Sequence, residues 1–200
     1  TSNNNSNNNN KPTPKQQESK TIISSSSSSS LIKPPFPQTL RDLLSQCRLA
    51  YLSTVDEAST SSHLSLMRFT YLHDPDDGEV VIMSTNRKTK KFDMLSRQTG
   101  VALLVHNENP NANANANANV NSNSNGNAAK TLSITLNGTC RILSGADETR
   151  YRASHLDHNP DYPQFIVGDD IAVLCIDVTS ARICDLNDNV TKWNVEDAVT

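Results

Sequence analysis

The sequence has little apolar mass and no excess of positive charge. Hydrophobic residues make up 35% of its 200 positions, and the mean hydropathy is −0.54, low for a globular domain. Eighteen Lys and Arg stand against 21 Asp and Glu, a net charge of −3. That balance excludes a broadly basic nucleic-acid binder. No apolar run approaches the ~18–20 residues of a membrane helix. The longest, Ile171 to Ile176, is strand-sized. The start of the chain lacks the charged-then-apolar pattern of a secretory signal, so the expected address is the cytoplasm, and also the nucleus. The four cysteines, Cys47, Cys140, Cys175 and Cys184, show no Cys-x-x-Cys spacing. Zinc and disulfide frameworks are therefore poor readings, and buried free thiols the better one.

The apolar deficit is concentrated in two tracts. Residues 1–36 are mostly Asn, Ser, Pro, Lys and Gln. Such a segment cannot bury enough apolar area to offset its ordering entropy, so a disordered tail is expected. Residues 107–129 repeat Asn-Ala and Asn-Ser. They read as an expanded surface loop, which closure entropy tolerates; Asn-rich tracts can also self-associate. What remains, about 140 residues, matches a common single-domain size, and the domain is expected over 37–200.

Within it the periodicities are readable. Leu40, Leu43, Leu44 and Cys47 recur at helical spacing, with Thr39 as the expected cap. Strands are expected over 49–55, 63–72, 79–83, 101–106, 131–143, 171–178 and 181–186. In the second, apolar parity shifts between Leu64/Leu66 and Met67/Phe69/Tyr71, which suggests a bulge or burial on both faces. Residues 58–62 and 74–78 read as turns, and Gly138 as a bulge. Helices are expected through Phe92, Met94 and Leu95 and over 147–155, with Pro160 and Pro163 bounding a loop. Strands that follow one another through turns argue a mainly β protein: an antiparallel sheet closing into a small barrel, with peripheral helices.

The stretch from Val80 to Leu95 carries the strongest chemical signal. An apolar strand ends in Ser84 and Thr85. Four cations then fall within five positions, Arg87, Lys88, Lys90 and Lys91, at a helix start. The macrodipole is positive there, so a cation cluster is locally unfavourable unless an anion faces it. A phosphate would satisfy the cluster; a solvated basic turn is the structural alternative.

The ordered set Leu49–Asp56, Ser62–Tyr71, Val81–Thr85, Thr89–Lys91 and Val101–Val105 resembles the pyridoxamine 5′-phosphate oxidase family, over roughly residues 38–145. The resemblance implies an FMN-binding split β-barrel, a homodimer, and FMN at the dimer interface. It places the family's hydroxyl step on Ser84 and Thr85, and its phosphate-holding pair on Lys90 and Lys91. It sets the flavin-lining strand on Ser65, Leu66 and Met67, with the family's Arg replaced by Ser65. Ser133 falls where the family has a Gln, and Trp193 matches a C-terminal Trp near the flavin.

The departures are informative. Thr70 replaces a Lys that holds substrate phosphate, and the C-terminal segment after Arg182 lacks the family's Arg and His. FMN binding is therefore expected over pyridoxamine phosphate oxidation. A flavin-dependent oxidoreductase acting on a small molecule is the first reading. A non-catalytic flavin-binding or scaffold module is the alternative, and haem in the same fold a third. His155, Asp157 and His158 have metal-binding atoms, but a surface pair of histidines is the expected outcome. His63 reads as a rim hydrogen-bonding residue, and Asp74 to Gly78 as a turn rather than a calcium loop.

Overall fold

A computed structural model describes residues 1–2, 35–56, 61–75, 77–107, 132–185 and 187–196. The chain divides into two units, Thr1–Leu31 and Ile32–Thr200, and the second is described here. Nearly all of the Asn/Ser-rich tail, most of the Asn-Ala insertion and most of the 58–62 turn lie outside the described residues.

The order is α1 (Gln38–Gln46), β1 (Leu49–Asp56), β2 (Ser61–Asp74), β3 (Gly78–Asn86), α2 (Lys90–Arg97), β4 (Gly100–Asn107), β5 (Leu132–Ile142), α3 (Gly145–His158), a 3-10 turn (Pro163–Phe165), β6 (Ile171–Asp185) and β7 (Val190–Asn194). The strands lie in the order β3-β2-β1-β4-β5-β6-β7, and β3 also pairs with β6. That pairing closes six strands into a ring, antiparallel throughout, with β7 outside it on the second half of β6. The fold is the antiparallel split barrel with peripheral helices.

Several local readings change. Helix α1 starts at Gln38, and the carbonyl of Pro37 accepts from the amides of Leu40 and Arg41. Thr39 thus lies inside the first turn and is not the cap. The expected strands 171–178 and 181–186 are one strand, β6, and β7 is additional. β2 begins at Ser61 and runs to Asp74 with no break in its pairing to β1. Its parity shift is a change of environment, not a bulge: Met67 and Phe69 point inward and are buried, while Leu64 and Leu66 point outward and are exposed. The bulge at Gly138 is present, where the β5–β6 register shifts between Asn137 and Gly138.

The barrel interior holds Leu52, Phe69, Val81, Met83, Leu103, Ile134, Leu136 and Leu174. A second cluster, Val80, Ile82, Val173 and Cys175 with Tyr151 of α3, covers the outside of β3 and β6. Those two strands are therefore buried on both faces, which is why they read as unbroken apolar runs. Phe36 is buried, stacked on Tyr71 and edge-on to Trp193. Its amide donates to the buried carboxylate of Glu79, which also accepts from the Tyr71 hydroxyl.

Candidate functional site

The end of β3 opens into a cleft of about 600 Å³, walled by β2, the start of α2, α3 and the segment around the 3-10 turn. Backbone pairing sets its frame. Asn86 pairs with Ile171, and the Arg87 amide donates to the Asp170 carbonyl at 2.7 Å. Arg152 of α3 holds the far wall by donating to the carbonyls of Ile166 and Ile171. Ser84 Oγ donates to the Phe165 carbonyl at 2.8 Å, and buried Thr85 lies 3.3 Å from Thr89 Oγ1.

Thr89 caps α2 by accepting from the Phe92 amide. The amides of Lys90 and Lys91, in the first turn, have no helical partner. The four clustered cations separate into distinct roles. Arg87 pairs with Glu148 at 3.2 Å and Lys88 with Asp170 at 2.8 Å. Internal acids thus answer two of the charges that sequence alone assigns to an external anion. Lys90 is exposed. Lys91 is half-buried on the cleft wall, joins none of the ion pairs among the described residues, and has its pKa lowered by burial. A half-buried ammonium without a carboxylate favours an anionic ligand.

Two further cleft residues come from distant chain segments. Arg68 lies over the Tyr162 ring, 3.2 Å from its centroid. His155 is fully buried, with Nδ1 2.9 Å from Thr70 Oγ1. It is not the surface residue that the His155/His158 spacing suggests. His158 is exposed and donates from Nδ1 to the Ser154 carbonyl. No cluster of three metal-ligating side chains occurs among the described residues. Burial pushes the Cys140 and Cys175 thiols up to about 12, so neither is a reactive thiolate at neutral pH.

Of the residues singled out in the sequence, Leu66, Met67, Ser84, Thr85 and Lys91 line the cleft. Ser65, Lys90, Ser133 and Trp193 do not. Ser65 lies on β2, 3.0 Å from His63 Nε2, which is the rim bond expected of that histidine. Ser133 sits on β5 opposite His106 and Cys184, and Trp193 on β7 against Phe36. Arg68 is not among the residues the sequence singles out, and His155 reads there as one of a surface pair. Arg68 could have been flagged as a charge inside the apolar run Met67-Arg68-Phe69. His155 could have been flagged by its helical spacing from Tyr151, which is also buried.

The profile of the pyridoxamine 5′-phosphate oxidase family matches residues 36–185. The chain belongs to that family. A Schizosaccharomyces pombe relative described as a pyridoxamine 5′-phosphate oxidase homolog is 31% identical over 176 residues, covering 80% of this chain and 90% of the relative. The barrel is also similar to a haem-binding protein from Mycobacterium smegmatis, with a TM-score of 0.59 and 15% identity. That match covers 78% of this chain, which spans 56% of the mycobacterial one. A Clostridium acetobutylicum protein related to general stress protein 26, of the pyridoxine-phosphate oxidase family, matches with a TM-score of 0.52 and 16% identity, over 80% of this chain and 94% of its own.

Proposed function

We propose that the cleft binds FMN in a homodimer and that the protein is a flavin-dependent oxidoreductase. Lys91 carries this reading: a half-buried ammonium at the start of a helix, in none of the ion pairs among the described residues, lining the same cleft as Thr85. The ammonium and the free first amides of α2 fit a phosphate group, which takes charge-assisted bonds from both. Bound FMN would supply hydride acceptance by its ring; the chain's part is to hold and orient it. Lys91 and the first amides of α2 anchor the phosphate end, while Leu66 and Met67 of β2 offer an apolar wall.

The outward face of β1, β2 and β4 supports the dimer. Leu49, Tyr51, Val55, Leu64, Leu66 and Leu104 are 40–63% exposed and adjoin one another across the paired strands. Leu49 and Leu66 belong both to this face and to the cleft. A second copy seated there would border the ligand, as the family resemblance implies.

Pyridoxamine 5′-phosphate itself is not the substrate this reading favours. Thr70, where the resemblance expects a phosphate-holding Lys, is buried and bonded to His155 and Asn159. Haem, named for the mycobacterial protein, would give a different visible spectrum.

FMN titration of the purified protein tests the proposal. Flavin absorption that survives dialysis, with FMN affinity falling about 10- to 100-fold in Lys91→Ala, is expected from the loss of one charge-assisted contact. Unchanged affinity in that variant would overturn the placement. Failure of the wild type to retain FMN would leave the scaffold reading.

A further inference from the structure

The imidazole of His155 is buried on the cleft wall with one nitrogen engaged and the other not. Asn159 Nδ2 donates to the His155 carbonyl at 3.0 Å and to Thr70 Oγ1 at 3.1 Å. A carbonyl only accepts, so that contact fixes which end of the Asn159 amide is nitrogen. The Thr70 hydroxyl accepts from Asn159, and the same Nδ2 stands 3.4 Å from His155 Nδ1. An Nδ1–H would face that N–H donor, so Nδ1 is the acceptor and the Thr70 hydroxyl the donor in their 2.9 Å contact. With Nδ1 accepting, the ring proton resides on Nε2. Nε2 is buried and has no partner among the described residues, and His155 lines the cleft. A buried donor without an acceptor is costly, and the residue that carries it is part of the wall of the space where a ligand would enter.

We propose that His155 is a specificity-determining residue of the cleft, its Nε2–H donating to an uncharged acceptor, a carbonyl oxygen or aromatic ring nitrogen, on the molecule bound there. The groups behind the ring, Thr70 and Asn159, are neutral. Burial, helped by the nearby charges of His158 and Arg68, keeps the imidazole neutral too, so it offers one N–H and no charge. Of the cations of the cleft, Lys91 lies at the start of α2, and Arg68, whose charge reaches the ring, lies flat against Tyr162. The same tautomer leaves Nε2 without the lone pair that a haem iron would need. This inference rests on the cleft being the ligand site proposed above, but not on the ligand being a flavin.

Nitrogen-15 NMR of the full chain, labelled at histidine and held at pH 7, tests it. The expected spectrum has a protonated Nε2 and an unprotonated Nδ1 at His155, assigned by their loss in His155→Gln. Riboflavin, or pyridoxal added to protein already mixed with FMN, should move the Nε2–H resonance; inorganic phosphate should not. A response to riboflavin places the acceptor on the flavin, and a response only to pyridoxal places it on a second molecule. Either supports the assignment. The opposite tautomer, a doubly protonated ring, a response to phosphate, or silence to both phosphate-free probes overturns it. His155→Leu should weaken the responding probe about five- to tenfold; if that variant fails to fold, the wild-type spectra still decide. FMN retention is read separately by absorbance, so loss of the flavin with a surviving response to pyridoxal sinks the flavin reading alone.

Discussion

A single buried histidine also contributes to how this protein responds to acid. Burial lowers the His155 pKa from 6.5 to about 4, with His158 and Arg68 adding to the effect. Above pH 6.5 the ring is neutral in both folded and unfolded chains and contributes nothing to pH dependence. Below it the unfolded chain takes up a proton that the folded chain refuses, so stability falls as pH drops from 6.5 to 4 and the contribution then levels off. Fully expressed, the difference is about 3 kcal/mol. Denaturant unfolding across that range should show a steeper loss for the wild type than for His155→Gln. Equal slopes would mean that the ring protonates in the folded state. Phe36 offers a second test at this scale. Its burial between Tyr71 and Trp193, with its amide on Glu79, predicts a loss of about 3–5 kcal/mol in Phe36→Ala, measured by the same unfolding.

Among the elements, legibility tracked whether a pattern was local. β5 alternates Leu132, Ile134, Leu136 and Cys140 around Gly138, and both strand and bulge follow from that spacing. At Gly138 a Cβ would press on the Asp177 backbone and stand 3.1 Å from the Val178 Cα. Gly138→Ala should therefore destabilise by about 1–3 kcal/mol, visible as a lower unfolding midpoint. β6 was misread as two strands because Thr179 and Ser180 interrupt its apolar run. They mark a change of partner: residues 171–177 pair with β3 and residues 180–184 with β7. β7 itself, Val-Thr-Lys-Trp-Asn, is too short and polar to announce itself. In the cleft, Ser84, Thr85 and Lys91 were readable because eight consecutive residues carry them to one place. The roles of Arg87 and Lys88 were not, since Glu148 and Asp170 reach them only through the fold. Arg68 and His155 were hidden for the same reason.

At the scale of the whole molecule, an exposed apolar face on a barrel with a charged remainder should be covered in solution. Leu64, on β2 and 63% exposed, the most exposed member of that face, gives the cleanest test. Leu64→Lys should convert a dimer to monomers in sedimentation velocity, with the far-UV circular dichroism spectrum of the wild type retained and an unfolding midpoint lowered only by the lost association. Because Leu49 and Leu66 serve both face and cleft, FMN retention should weaken in the same variant. Unchanged sedimentation would remove the dimer from the proposal. The ring closure by β6 also bears on how the chain reaches this state. β3 and β5 both wait for a partner that arrives late in the sequence, so a ribosome-bound chain ending before Ile171 presents two unpaired strand edges. Such edges are templates for intermolecular pairing. Folding of the barrel is then governed by a long-range event near the end of synthesis, and nonsense or frameshift lesions upstream of β6 should yield aggregates instead of a smaller functional barrel.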